Sequence, residues 1–500
     1  MNILLVYPKY PDTFWSFKHA LEFVSKKAML PPLGLLTVAA MLPAEWDQTL
    51  IDMNVAPLRD VDLAWADYVF LSAMIVQKHS AQEVIERCRN AGVTIVAGGP
   101  LFTAEYDAFP DVDHLVLNEA ELTLPPFLAD LAAGQARRIY TTSEFPEMTH
   151  APIPRWDLVA DMKHYASMNI QYSRGCPFNC EFCDITALYG QHARVKQPEQ
   201  ILAELDRLYA QGWRGSVFFV DDNFIGNKQT VKHDVLPALI PWTKARHYPF
   251  RFSTEASINL ADDDELMGLM AQAGFDDVFV GIETPDEESL AECAKIQNKH
   301  RDLIACVKKI QQAGLQVRGG FIVGFDHDTP SIFDRQIEFI RKSGIITAMV
   351  GMLTAPRGTK LYQRIVKEGR LLSDSSGDNT DCSTNFIPKM GYEVLLAGYT
   401  HILRGLYAPK PYYERVKASL QEYCPPKMPF HLHLSRIRFR SGYVGAFFKS
   451  LVVLGIQDQA RVYFWKLFFW SLFARPQVLT TAITYAIYGY HFRKVFADYL

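Results

Sequence analysis

Three of the eight cysteines lie within eight residues of one another. The stretch SRGCPFNCEFCDI carries Cys176, Cys180 and Cys183 at C-x3-C-x2-C spacing. Thiolates are soft ligands that select zinc, copper(I) or iron–sulfur clusters. Structural zinc wants a fourth Cys or His to close its tetrahedron. The downstream candidate, His192, stands nine residues beyond Cys183 and fits no common finger spacing. A [4Fe–4S] cluster ordinarily takes four thiolates, so three would leave one iron open to a substrate or cofactor. A zinc knuckle and three unrelated thiols are the plainer readings of the same residues. The remaining cysteines, at 88, 293, 306, 382 and 424, are isolated and read as small buried hydrophobes.

The elements around this cluster can be read from periodicity. Over the first 140 residues, short apolar runs (NILLVYP, TLIDMN, YVFLSAM, VTIVAGGP, HLVLNE) alternate with helical spacing in LLTVAAMLP and AQEVIERCRNAG. Such alternation predicts a doubly wound parallel sheet. Sheets of that kind bind ligands at the carboxyl ends of their strands, here Pro8, Asp52, Asn54, Ser72, Gly98, Gly99 and Glu119. No G-x-G-x-x-G follows the first strand, which weakens a dinucleotide reading. Residues 141–164 read as a proline-bearing linker. From 165 to 375 a second series runs SMNIQYS, SVFFVDD, FRFSTEA, DVFVGIE, VRGGFIVGF and ITAMVGML, with helical patterns between. Six βα units predict a partial (β/α)6 barrel with its chemistry at the strand C-terminal ends. The cysteine loop follows its first strand. Residues 376–500 read as a mainly helical, aromatic-rich region.

The cysteine spacing, with aromatic Phe182 before the last Cys, resembles the radical S-adenosylmethionine (SAM) superfamily over residues 165–375. That resemblance implies a [4Fe–4S] cluster whose open iron binds SAM and cleaves it to methionine and a 5′-deoxyadenosyl radical. It also implies roles for residues at the strand ends. Asp221, Asp222 and Asn223 would lie near the methionine amino group, with Glu255 at the end of the third strand. Gly281, Ile282, Glu283 and Thr284 would lie near the ribose, and Gly320, Ile322 and Gly324 against adenine. Asp-Asp-Asn reads equally well as a helix N-cap. A doubly wound domain before such a barrel is similar to the cobalamin (B12)-dependent class. The Asp-x-His-x-x-Gly motif of that class corresponds to Asp52-Met53-Asn54-Val55-Ala56-Pro57, with Asn54 for His and Pro57 for Gly. Cobalamin is then expected without that His on cobalt, its corrin and nucleotide tail held by loops containing Ser72, Gly98, Gly99 and Pro100. A ligand-free Rossmann-like domain is the alternative. Pro-Pro-Leu-Gly-Leu after Leu30 also resembles this class, while His19 carries no assignment.

Composition limits the partners. Of 500 residues, 49% are hydrophobic and 21% charged, and the net charge is −4, which argues against bulk binding of nucleic acid. No basic segment followed by a long apolar run opens the chain, so a cytoplasmic enzyme is expected. The charge is unevenly placed. Residues 436–500 hold nine Lys/Arg, two Asp/Glu and seventeen aromatics; residues 1–435 hold 42 basic and 53 acidic side chains. This tail has three readings: a helical cap over the barrel mouth, the wall of an apolar substrate pocket, or a basic surface resting on the inner face of a membrane. Val462–Phe473 is apolar nearly all round and is expected to be buried. The layout resembles a subgroup with an extra C-terminal domain, similar to hopanoid and tetrapyrrole methylases. The leading expectation is methyl transfer to an unactivated carbon of a small apolar substrate, with flavodoxin or ferredoxin as electron donor. A cobalamin-assisted cyclase, hydroxylase or rearrangement enzyme is the alternative. A methylthiotransferase would need further N-terminal cysteines, and only Cys88 precedes Cys176. A non-catalytic iron–sulfur protein would not need six βα units.

Overall fold

The computed structural model describes residues 1–423 and 444–500. Two six-stranded, all-parallel sheets carry the architecture. The first contains β1 (Asn2–Tyr7), β2 (Asp47–Asp52), β3 (Tyr68–Ser72), β4 (Thr94–Gly98), β5 (His114–Val116) and β6 (Ile139–Tyr140), in the order β2-β1-β3-β4-β5-β6. Helices α1 (Leu33–Met41), α2 (Lys78–Ala91) and α3 (Ala120–Ala132) are among its crossovers. Apart from the edge strand β2, the apolar runs of β1, β3 and β4 mark strands buried on both faces, as a parallel sheet demands. In α2, Ala81, Val84, Ile85 and Cys88 share the buried side, and Gly92 ends the helix in the left-handed region.

The linker is better built than its sequence implies. It forms three single turns, Met148–His150, Trp156–Leu158 and Met162–His164, and buries Trp156.

The second sheet contains β7 (Ser167–Ile170), then β10 (Ser216–Phe219), β11 (Arg251–Glu255), β12 (Phe275–Glu283), β13 (Gln316–Val323) and β14 (Ala348–Met352), paired in sequence order from β7 to β14. A two-stranded ribbon, β8 (Ser173–Arg174) with β9 (Arg194–Val195), brackets the cysteine loop and adds to the expected elements. Helices α4 (Pro198–Ala210), α5 (Leu236–Ala245), α6 (Asp264–Ala273), α7 (Leu303–Gln312) and α8 (Ser331–Ser343) cover the sheet.

β7 and β14 do not pair with each other, so this barrel is open and has two edges. Unpaired strand edges bind other chains unless covered. Residues outside the barrel cover both. At β7, Ala166 and Ser167 donate their amides to the carbonyls of Ala28 (3.0 Å) and Met29 (2.9 Å), and Asn169 Nδ2 donates to Pro31 O (3.1 Å). At β14, α9 (Tyr392–Tyr407) lies along the strand. Tyr399 Oη donates to Val350 O (2.8 Å), Tyr407 Oη to Ala348 O, and Arg415, on α10 (Pro409–Glu422), to Ile346 O.

The rest of the tail is a helix over 444–452 (α11) that continues through a wider turn at Val453–Gln457, then α12 (Arg461–Ala474) and α13 (Leu479–Val495). It closes the bottom of the barrel rather than its mouth. Gln316, the first residue of β13, accepts from Tyr485 Oη and donates to Tyr423 Oη. Phe14 stacks on Phe492 at 4.3 Å, and His491 bonds Phe14 O (3.0 Å). The aromatics of the tail therefore fill the strand N-terminal ends, which polar cysteine chemistry does not use. α12 also departs from expectation. Phe464, Leu467, Phe468 and Ser471 are buried, but Val462, Phe469, Leu472 and Phe473 face water, because the helix has core on one side only. Among the isolated cysteines, Cys88, Cys293 and Cys382 are buried, Cys306 is half-exposed, and Cys424 lies outside the described residues.

Tyr399→Phe leaves the Val350 carbonyl buried without its donor. A loss of about 1–3 kcal/mol in unfolding free energy is expected, read by urea denaturation against the wild type.

Candidate active site

The cysteine loop is held by three consecutive residues at the end of β10. Asp221 Oδ1 accepts the amides of Tyr172 (3.1 Å) and Ser173. Asp222 Oδ2 accepts the amide of Gly175 (3.0 Å). Asn223 Nδ2 points at Cys176 Sγ (3.9 Å) and donates to Ser257 Oγ (3.2 Å), while its Oδ1 accepts the Ser257 amide. The N-cap reading does not hold: Asn223 makes no side-chain cap bond to the turn Phe224–Asn227. The two aspartates instead grip successive points of the incoming backbone and Asn223 meets the Cys176 thiol, a use that sequence reasoning missed because the partners lie some 50 positions away.

All three loop cysteines are free thiols. Burial pushes the thiols of Cys176 and Cys183 up, disfavouring the thiolates that a metal requires. Bound iron would supply the missing positive charge. Among the described residues, no three His, Cys, Asp or Glu side chains converge as ligands of one ion; the irons of a cluster take their thiolates at separate corners. Gln297 Nε2 donates to Cys180 Sγ (3.8 Å), a polar contact that suits a sulfur carrying charge. These donors fit a three-thiolate cluster.

Around the loop stand carboxyls whose ionisation burial makes harder. Desolvation raises Asp221 to about 7 and Asp222 to about 6. Glu255, at the end of β11, is raised to about 8, first by desolvation and then by the charges of Asp222 and Asp221. No described residue donates a hydrogen bond to Glu255. An ammonium group is what such a carboxylate lacks, and the amino group of SAM would supply one.

Glu283, at the end of β12, has φ +64° and pairs with Lys295 Nζ (2.6 Å). Burial would lower Lys295, but the charges of Glu283 and Cys180 raise it, so the cation is kept beside the loop. Asn298 Nδ2 donates to the carbonyls of Gly281 (3.0 Å) and Ile282 (2.9 Å). Gly320 has no room for a side chain: a Cβ would stand 2.7 Å from Phe279 Cζ. Ile322 packs with Phe182, Cys293 and Phe325, and Gly324 turns at φ +106° against Leu395.

The carboxyl edge of the first sheet faces this site. Glu119, just beyond β5, is buried between two guanidinium groups: Arg174 Nη1 donates to it at 2.7 Å and Arg194 Nη2 at 2.6 Å. Arg174 also pairs with Glu121 (2.8 Å). Burial would raise Glu121, yet the Arg174 charge brings it below the usual carboxylate range. Since Arg174 and Arg194 lie on the ribbon around the cysteines, the first domain is bolted to the loop. Arg357 adds a bridge to Asp107 (3.0 Å), and Arg364 ties Glu181 of the loop to Asp326 and Glu292.

In the first domain the glycine pair is tight. Gly99 adopts φ +91°, and a Cβ there would lie 2.5 Å from Ser72 Oγ; one on Gly98 would lie 2.5 Å from Val116 O. The missing side chains let the ends of β3, β4 and β5 pack closely together, and that strand-end edge is where a parallel sheet takes its ligand. Asn54 is already engaged. Its Oδ1 accepts the Tyr10 amide (2.8 Å), and its Nδ2 donates to Pro8 O and Asp52 Oδ1. Asp52 in turn accepts from Tyr165 Oη (2.9 Å). In the loop of Trp15, Phe17 and His19, Phe17 and His19 turn towards α13, with Phe17 against Tyr488 and His491, while Trp15 packs on Phe279 and Met349 of the barrel.

Two outcomes follow from this electrostatics. Glu119→Gln leaves two buried cations short of charge, and about 3–5 kcal/mol of stability should be lost in urea titrations. Glu255 titrates near about 4.3 in an unfolded chain, so between that pH and about 8 the folded protein holds a proton that the unfolded chain has released. Stability must fall as pH rises through this window. Cofactor-free protein should lose several degrees of Tm between about pH 5.5 and 8.5, and Glu255→Gln should flatten part of that fall.

Comparison with known proteins agrees with this layout. A B12 binding domain matches residues 24–128, the radical SAM superfamily matches 170–352, and a domain of unknown function matches 359–500. An uncharacterized methyltransferase of Synechocystis is 42% identical, covering 98% of this chain and 91% of its own length. The hopanoid C-2 methylase of Rhodopseudomonas palustris is 34% identical, covering 93% and 88%. Among solved structures, the cobalamin-dependent SAM radical enzyme OxsB, with aqua-cobalamin and SAM bound, aligns with a TM-score of 0.63 at 16% identity, over 99% of this chain and 80% of its own. The radical SAM methyltransferase TsrM of Kitasatospora setae, with cobalamin and a [4Fe–4S] cluster, aligns with a TM-score of 0.57 at 14% identity, over 75% and 79%. These two share the fold. With a B12-binding and a radical SAM domain in one chain, and full-length identity to methylases, the protein belongs to the cobalamin-dependent radical SAM methyltransferase family.

Proposed function

We propose that the enzyme transfers a methyl group to an unactivated carbon of an apolar small molecule of the polycyclic, hopanoid-like kind on which its 34%-identical relative acts. The observation that carries this reading is the Glu119–Arg174–Arg194 knot, which sets the ligand edge of the first sheet against the cysteine loop. Cobalamin would be held in residues 1–140 and the cluster and SAM in 165–375, with 376–500 covering the β14 edge and closing the strand N-terminal ends. When bound, the cluster with SAM supplies a radical that removes hydrogen from carbon, and cobalamin supplies the methyl group.

The chain's own residues bind and orient. Cys176, Cys180 and Cys183 hold iron, and Asp221, Asp222 and Asn223 fix the loop that presents them. Glu255 takes the ammonium of SAM; Gly281, Glu283, Gly320, Ile322 and Gly324 line the remainder of that ligand. Asp52, Asn54, Ser72, Gly98 and Gly99 shape the corrin loops without placing an imidazole on cobalt. Arg357 and Arg364, beyond β14, tie their stretch of chain to Asp107 of the first domain and to Glu181 of the cysteine loop, which steadies the site against water that the radical chemistry must exclude. Electrons would enter from flavodoxin or ferredoxin at a cleft of about 370 Å³ beside the loop, lined by Pro177, Phe178, Asn179, Ala294, Ile296 and Lys360 with the acids Glu181 and Glu292. The reading places the enzyme in the cytoplasm, at the inner face of the membrane where such substrates dissolve.

Reconstituted anaerobically, the protein should bind about four irons, and Cys180→Ala should lose them with the brown colour. With SAM labelled in its methyl group, label should appear in the product. Unlabelled product alongside 5′-deoxyadenosine would instead establish the cyclase, hydroxylase or rearrangement reading.

A further inference from the structure

Two adjoining helices of the tail leave large apolar side chains in water. Along α11 and the turn that extends it, Val444, Phe448, Val452 and Ile456 recur every fourth residue and are 47–64% exposed. That spacing is one face of a helix. Along α12, Val462, Phe469, Leu472 and Phe473 are 36–79% exposed. Trp465 stacks on Phe469 (5.4 Å) and Phe469 on Phe473 (6.3 Å), a ladder of rings along the outer side. The two stripes form one plate. Trp465 Nε1 donates to Gly455 O (2.9 Å), and Phe447 meets Phe468 at 6.2 Å, so the helices pack as a hairpin. Scattered exposed hydrophobes are ordinary, but eight on one hairpin are not.

The charge on the plate has one sign. Residues 444–475 contain Lys449, Arg461, Lys466 and Arg475 and a single acid, Asp458, which is paired with Arg493 of α13; Lys449 donates to Glu22 O and Arg475 to Leu420 O, so Arg461 and Lys466 are the cations offered outward. Lys466 stands over the Tyr463 ring (5.7 Å) and Lys417 over Trp470 (5.4 Å), cations beside amphipathic rings at the border of the plate. No helix among the described residues is long and apolar enough to cross a membrane.

We propose that this hairpin docks the enzyme on an anionic lipid bilayer, lying in the plane of the interface with Phe448, Ile456, Phe469 and Phe473 inserted and Arg461 and Lys466 at the headgroups. A second copy of the chain is a poorer occupant, since a two-fold contact would set these cations against themselves. The inference names the surface for the membrane location proposed above and rests on that reading, not on methyl transfer.

Flotation of the full chain, without cofactors or turnover, tests it. The protein should rise with phosphatidylglycerol–phosphatidylcholine vesicles and do so at least several-fold less with phosphatidylcholine alone. The triple variant Phe448→Glu, Phe469→Glu, Phe473→Glu, checked by circular dichroism for wild-type fold, should stay at the bottom. Arg461→Ser with Lys466→Ser leaves the apolar plate intact and should weaken only the binding to anionic vesicles. Wild-type protein that fails to float with anionic vesicles overturns the proposal. So does a dimer in light scattering that the triple variant dissolves while vesicle binding is unchanged. Labelled methyl transfer without vesicle binding would keep the function and remove the docking surface.

Discussion

An open barrel cannot stand alone, and the rest of this molecule answers that constraint. Six parallel strands that stop short of closure leave two rows of unpaired amides and carbonyls. Residues 28–31, from the first domain, pair with β7, and tyrosines 399 and 407, from the tail, satisfy the carbonyls of β14. The three regions are therefore not beads on a string. The barrel borrows one edge from each neighbour, and in doing so fixes both of them relative to its mouth.

Electrostatics then refines what the edges position coarsely. Buried ion pairs are costly to break and demand good geometry, and here they cluster around the cysteine loop. Glu119 and Glu121 face Arg174; Glu181 faces Arg364; Glu283 faces Lys295. The loop is thus held by charge from the first domain and from Arg364 beyond β14, with the Glu283–Lys295 pair beside it. The carboxyls left without a counter-ion, above all Glu255, mark where a positively charged ligand belongs.

Much of this was legible in the order of residues. Strands buried on both faces must be apolar runs, so β1, β4, β13 and β14 stand out, and the helices between them show their periodicity. The cysteine spacing is a local signal and points to its chemistry directly. Elements of two residues, such as β6, β8 and β9, are too short to leave a pattern. Pairings across long separations leave none either: Glu119 with Arg174, Asp221 with Tyr172, and Tyr399 with Val350 become neighbours only through the fold. α12 misled because hydrophobicity all round a helix normally means burial, and here half of it has no protein to pack against.

The contact between Phe14 and α13 sets an order on the molecule's making. His491 and Phe14 are 477 positions apart in the chain, so the bottom of the barrel cannot shut until α13 has left the ribosome. The cysteine loop, the strands around it and the first domain all emerge before that closure. Through most of synthesis the nascent barrel is therefore open at its lower end, and the apolar strand N-terminal ends wait for the last helix to cover them.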